Sequence, residues 1–461
     1  MRYQTMQIEK SVNAQKAYFS TGVTLPITFR LKQLKALKNA IKAHEADILQ
    51  ALKTDLGKSE HESYMCEIGL TLHEITHFIK HLRSWSHPKR HHIGLANFHS
   101  KGYSVFDPYG CVLIMSPWNY PFLLCMQPLV GALAAGNCCM VKPSAYSPAT
   151  SAVIKRILEE IFDPEYVTVV EGGRQENQAL LEQRFDYIFF TGGVTVGKQV
   201  MEKAARHLTP VTLELGGKSP CIITDSCNLK VAAKRVVFGK YLNCGQTCVA
   251  PDYCLVDAKI KESFLKLVKE QVVEMYGENP LTNPDYGKII NAKHYERILG
   301  LIDPQKVILG GTSNAETLQI APTILDNVTA TDAVMQEEIF GPILPIITYE
   351  TIEEAETFIK QYEKPLALYL FTKNAYLEKR FMSHVSFGGG CVNDTIVHLS
   401  ESSMGFGGVG YSGMGTYHGK KSFETFSHQK YILKKYNWID LPMRYQPYKA
   451  LNLKLIRFFL H

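Results

Sequence analysis

The sequence predicts an α/β fold of two successive lobes, and three observations predict it. Short β-rich runs alternate with helix-like segments from Cys111 onward, as a parallel sheet covered by helices on both faces requires. The alternation then repeats in a second series after Leu215. Finally, 461 residues are too many for one small core, so two or more domains are expected.

From the N-terminal side, Leu31, Leu34, Leu37, Ile41, Ile48 and Leu52 keep roughly helical spacing over Leu31–Leu56. Gly57 then stands where a helix C-terminus favours a left-handed residue. A second helical stretch, about Glu60–Trp85, reaches the basic, proline-containing segment Ser86–His92. The first β-rich series comprises Cys111–Met115, Cys138–Val141, Tyr166–Val170, Tyr187–Phe190 and Val211–Leu215. The second comprises Cys221–Thr224, Tyr253–Val256, Val307–Leu309 and Ile343–Ile347. No internal repeat or low-complexity linker separates them. The tail, Trp438–His461, has no acidic residue after Asp440 and ends apolar and basic. If helical, Ala450–Leu460 spans about 16 Å, far short of a bilayer. Its broad apolar surface favours packing against protein over lying on an anionic membrane surface.

Composition narrows the functional classes. Hydrophobic residues are 46% and charged residues 20%, the balance of a soluble globular enzyme. A net charge of +6 without a basic run argues against nucleic acid. Eleven cysteines, an odd number without zinc-type CxxC pairs, read as free thiols. Met1–Lys10 does not resemble a signal peptide, so a reducing cytoplasm is expected. No stretch of 18 apolar residues suggests a membrane span. His91-His92 reads as a solvated turn rather than a metal site, and no metal is expected.

Asn243-Cys244-Gly245-Gln246-Thr247-Cys248 is the segment that most suggests chemistry. The glycine permits close approach of a ligand, and Pro251 prevents an unbroken helix. A thiolate at Cys248 could attack an electrophile and hold it covalently, although a structural cysteine is the alternative. Cys244 reads as a small buried residue in preference to a resolving thiol. The strand Tyr187–Phe190 runs into Thr191-Gly192-Gly193, with Gly197 opening the following helix, and a turn of this type suits a phosphate or pyrophosphate. Its spacing is not GxGxxG, so a plain tight turn stays open. Lys142 ends a strand and could meet a ribose or phosphate, or be an ordinary lysine. Glu214 sits among leucines in a strand bound for the interior. A carboxylate there is costly unless paired or used as a base. Asn119, between Pro117 and Pro121, offers an amide for an oxyanion or simply forms a turn.

Together these strings resemble the aldehyde dehydrogenase superfamily. They are Pro117–Pro121 (PWNYP), Phe190-Thr191-Gly192 with Gly197, Leu213–Pro220 (LELGGKSP), Gly245–Cys248 (GQTC) and Glu337–Pro342 (EEIFGP). Phe406–Gly410 and Gly413–Phe426 are similar to the class 3 branch of fatty and aromatic aldehyde dehydrogenases. The resemblance implies oxidation of an aldehyde to a carboxylic acid with NAD or NADP. Cys248 would be the nucleophile, Glu214 the general base, and Asn119 with the Cys248 N–H the oxyanion site. Trp118, Lys142, Ser144, Gly192, Gly193, Gly197, Glu338 and Phe340 would contact the coenzyme. A variant Rossmann coenzyme domain (1–88 and 109–216), a catalytic domain (217–410), a small β-rich oligomerisation arm (89–108 and 411–437) and a tail (438–461) would follow. A homodimer in the cytoplasm is implied, with peripheral membrane contact through the tail as the rival role for that segment.

One departure bears on the coenzyme. Lys142-Pro143-Ser144 is followed by Ala145, where the family often has a glutamate that binds the ribose hydroxyls. NAD then loses a hydrogen bond worth about 1 kcal/mol, and a 2′-phosphate meets no fixed negative charge, so both coenzymes are expected. Rival readings are a CoA-acylating relative, against which Glu214 argues, and a coenzyme-free cysteine hydrolase. Formation of NAD(P)H would separate the last from a dehydrogenase.

Overall fold

A computed structural model describes residues 2–460; Met1 and His461, at the outer limits of the expected first domain and of the tail, lie outside the described residues. The first sheet has six strands in the order 413–414, 211–214, 187–191, 111–115, 138–142, 167–169. All pairs are parallel except that of Gly413–Met414 with Leu213–Glu214. The strands earliest in the chain lie in the middle of this sheet, so the winding reverses between Cys111–Met115 and Tyr187–Thr191. A crevice opens at the carboxyl ends of strands at such a reversal, where α/β sheets bind ligands. Asn119, Lys142, Gly192 and Glu214 all fall at or just beyond these ends.

Helices cover both faces of this sheet. Leu113, Met140 and Ile188 pack on one face with Ile8, Val12 and Val200, so the N-terminal helix Arg2–Ser20 is part of this core. The opposite face carries Ile114 and Val141 against Phe122, Leu129 and Ile154. Strand residues buried on both faces explain the continuous apolar runs in the sequence.

The second sheet has seven strands in the order 307–309, 323–325, 343–349, 253–257, 220–223, 367–371, 389–392, parallel except at the 307–309 edge. Ala367–Phe371 and Gly389–Val392 were not anticipated from the sequence. Their alternation is obscured because Ala367–Phe371 is buried throughout and Gly389-Gly390 lack side chains. A third, antiparallel sheet joins Lys89–His91, Ser100–Pro108 and Ser427–Lys435, the last two paired over nine residues.

Three local expectations are corrected. The helix expected over Leu31–Leu56 is two helices, Ile27–Ala43 and Glu45–Leu56, broken at His44. Both halves bury their apolar positions, so periodicity survived the break. Lys89–His91 is an exposed edge strand rather than a turn. Gly197 does not open its helix, which begins at Val194; its N–H bonds Gly193 instead. The expected cap at Gly57 is present with φ +68°. The eleven cysteines are unpaired, and among the described residues no helix is long and apolar enough to cross a membrane.

Candidate active site

Two cavities meet at Cys248. One, about 310 Å³, is lined by Trp118, Asn119, Gly192, Gly193, Glu214, Glu338, Phe340 and Cys248. The other, about 270 Å³, is lined by Cys248, Tyr120, Leu124, Phe238, Leu242, Ile396, Phe406 and Tyr417 among others, most of them apolar. Residues from Trp118 to Phe340 thus converge across both lobes.

The thiol is presented by a strained turn. Asn243 and Cys244 both adopt left-handed backbone (φ +53° and +52°), and Gly245 follows at φ +72°. Strain of this kind persists only where surroundings over-determine it. Only glycine fits at 245, because a Cβ there would run into the carbonyl of Gly341. This contact joins the GQTC turn to the EEIFGP turn. Gln246 fastens the same turn through bonds to the carbonyls of Asn243 (3.1 Å) and Lys288 (3.0 Å) and from the N–H of Ile290 (3.0 Å). Cys244 points elsewhere, into the second core beside Tyr286 and Gly287.

Burial pushes the Cys248 thiol up to about 12, helped by the carboxyls of Glu338 and Glu214 and opposed by its own N–H and that of Val249. Burial also raises Glu214 well above the usual carboxyl range. Neither Glu214 oxygen has a hydrogen-bond partner among the described residues. Its carboxyl is therefore not held in a structural ion pair. Asn119 is buried and donates from Nδ2 to the Gln246 carbonyl at 3.0 Å, which leaves its second amide hydrogen for another acceptor. The thiol lying beside an imidazole is Cys391, 3.4 Å from Nδ1 of His398, rather than Cys248.

Around the larger cavity, Trp118 and Phe340 rings lie edge to face with centroids 5.3 Å apart. Glu338 lies against Gly216, where any Cβ would strike its carboxylate, and burial pushes it up to about 8. The Glu337–Phe340 turn is clamped by residues the sequence did not single out. Arg297 donates to the carbonyls of Glu338 (3.3 Å) and Ile339 (2.7 Å), and Asp252, paired with Lys218, accepts the Ile339 N–H at 2.9 Å. A Cβ at Gly193 would meet nothing within 4 Å, and the helix beginning at Val194 has no side-chain cap. Free N–H groups, open space and the unpartnered Thr191 hydroxyl fit a dinucleotide phosphate. The residues present therefore fit a nicotinamide coenzyme.

Three expected coenzyme residues do not line this cavity. Lys142 is buried, and its Nζ donates to the carbonyls of Gly172 (2.6 Å) and Pro143 (2.8 Å). Burial lowers it to about 8. Ser144 accepts the Tyr146 N–H at 3.2 Å, and Gly197 packs against Leu215. Ala145 is exposed beside them.

A family model, Aldehyde dehydrogenase family, matches residues 1–432. The chain is 48% identical over 454 residues to a 4,4'-diaponeurosporen-aldehyde dehydrogenase of Staphylococcus aureus, covering 98% of this chain and 99% of that protein. It is 48% identical over 428 residues to aldehyde dehydrogenase family 3 member A2 of Macaca fascicularis, covering 93% and 88% of the two chains. A structure described as the substrate-bound state of Staphylococcus aureus AldH superposes with a TM-score of 0.97 at 47% identity, over 98% of this chain and 99% of that one. With that fold and this convergence of residues on one thiol, the chain belongs to the aldehyde dehydrogenase family, in its class 3-like branch.

Proposed function

We propose that Cys248, Asn119 and Glu214 carry the reaction of this enzyme, the NAD(P)-dependent oxidation of an aldehyde to a carboxylic acid. One observation carries the reading: Cys248 lies on the shared wall of a coenzyme-type cavity and an apolar one. The thiolate of Cys248 attacks the aldehyde carbon to form a thiohemiacetal. The free amide hydrogen of Asn119 and the Cys248 N–H hold the oxygen. NAD or NADP, when bound, would supply the acceptor for the hydride that leaves the substrate carbon. Glu214 then takes a proton from water as it attacks the resulting thioester, which releases the acid and the Cys248 thiolate. Trp118, Gly192, Gly193, Glu338 and Phe340 are proposed as coenzyme contacts on the cavity wall. Lys142 and Ser144 are proposed to act at the adenosine end, outside it, and Gly197 to support the turn near the pyrophosphate.

The second cavity points to aldehydes carrying an apolar chain or ring. A kinetic comparison across chain length, with each coenzyme, tests this. We expect kcat/KM to rise from acetaldehyde to medium-chain aldehydes by about 0.8 kcal/mol, roughly fourfold, per buried methylene. A flat or falling series would overturn the substrate class while leaving the oxidation itself intact.

A cytoplasmic homodimer is also proposed. The strand Ser427–Lys435 has one edge paired with Ser100–Pro108, and Tyr431 and Leu433 on it are exposed. An exposed edge with apolar side chains is a template for another chain. The tail helix Ala450–Phe459 sets Ile456 against a cavity shared with Leu95, Phe98 and Met443, and does not line the apolar cavity at Cys248. Leu451, Leu453 and Leu455 are exposed, and packing in the dimer is proposed for them. Removing residues 451–461 should then lower Tm or the dimer fraction in sedimentation. Unchanged stability with lost binding to anionic vesicles would favour the membrane role instead.

A further inference from the structure

The residue proposed to hold the oxyanion is itself held by buried charges that the reaction does not use. Resting on the reading of Asn119 above, we propose that Lys58, Glu67 and Asn243 are positioning residues that fix Asn119 against the Cys248 turn. The helix beginning at Glu60 passes through one π turn, Tyr64–Ile68, before continuing to Trp85. Insertions of this kind recur at functional sites, where they re-aim a side chain. Glu67 lies in the turn and is fully buried.

Its two oxygens have separate partners. Oε1 receives Nζ of Lys58 at 2.5 Å, and Oε2 receives the N–H groups of Phe122 (2.9 Å) and Leu123 (3.2 Å). Lys58, also fully buried, donates again to the carbonyl of Asn119 at 3.1 Å and lies 4.0 Å from the centre of the Tyr120 ring. From the other lobe, Nδ2 of Asn243 donates to that same carbonyl at 2.8 Å. Tyr120 completes the link, with its hydroxyl 2.6 Å from that of Thr247. The segment 117–121 needs such props because Pro117 and Pro121 have no N–H to tie it down.

A buried ion pair is weak evidence of a role in stability. Replacing a buried ion pair with neutral groups is often neutral or stabilising, because two charges need not be desolvated. What this pair supplies is place: Asn119 is bonded from the first lobe by Lys58 and from the second by the Asn243 turn that presents Cys248. A misplacement near 1 Å at a reacting centre costs about a hundredfold in rate.

A double-mutant cycle tests the inference. Lys58→Met with Glu67→Gln removes both charges yet keeps an acceptor for the Phe122 and Leu123 N–H groups. We expect kcat to fall about 10- to 100-fold, with the dissociation constant of NAD within about twofold of wild type. Asn119→Ala should cost much less in this background than in the wild type, since a displaced amide has less to lose. A purely structural pair would leave the cost of Asn119→Ala the same in both, and that result, or a wild-type kcat, overturns the inference. Should the pair variant fail to fold, Asn243→Ala enters the same cycle with the same criteria. If Asn119→Ala alone leaves kcat intact, the oxyanion reading fails and takes this inference with it; if it collapses kcat while the cycle is additive, only the positioning role fails.

Discussion

Cys248→Ala is expected to abolish aldehyde oxidation, by about four orders of magnitude or more, while coenzyme binding stays close to wild type. In the proposed reaction this side chain makes the bond to substrate, and among the described residues it is the one thiol that lines both cavities. The neighbouring sulfur, Cys244, is seated in another core beside Tyr286 and cannot substitute. The state of the thiol adds a second readout. With burial pushing Cys248 up to about 12, the coenzyme-free protein is expected to hold a neutral thiol at pH 7. A raised thiol pKa means that the thiolate fraction grows about tenfold per pH unit through the neutral range. Alkylation of Cys248 by iodoacetamide, mapped by mass, should therefore climb from pH 7 to 10 without a plateau. A plateau near pH 7 would show that the site holds the thiolate without coenzyme.

Glu214→Gln should separate the two halves of the reaction. A rapid burst of NAD(P)H near one equivalent per site is expected, because acylation precedes the water step. Steady turnover should then fall about 10²- to 10⁴-fold, the usual contribution of a positioned base. Stopped-flow absorbance at 340 nm reads both phases. The variant also removes a buried carboxyl with no bonded partner, so no loss of Tm is expected from it. In the wild type, burial raises Glu214, so the ionised form that can take a proton grows with pH, and deacylation should accelerate in that direction. A Gln variant turning over at the wild-type rate would remove Glu214 from the role of base.

Much of the chemistry was legible in the linear order of residues, because certain types are costly unless used. Glu214 among leucines is such a case: it is buried and, among the described residues, no ion pair explains it. Gly192-Gly193 after an apolar strand is another, since the turn opens onto a cavity. Lys142 shows the limit of the same reasoning. Its place at a strand end was anticipated, but its Nζ is engaged by two carbonyls and does not line the cavity with the others. Lys58, Glu67 and Arg297 gave no sequence signal, and the segment holding Asn243 did not show what it bonds, because each has a partner 9 to 124 residues away. No local pattern encodes such a partner.

By itself the sequence determined the alternation that builds two α/β lobes, the free thiols, and the candidate nucleophile, base and oxyanion donor. These follow from local rules: strands need runs of apolar residues, turns need glycine, and a buried carboxyl needs a purpose. Tertiary structure alone decided that Asn119, Glu214 and Cys248 share one cavity, and that a second, apolar cavity meets it at the thiol. It also decided how firmly Asn119 is held. The reason is that these facts depend on where the sheet reverses its winding and on bonds that cross between lobes. Both are products of packing the whole chain, so no window of sequence contains them.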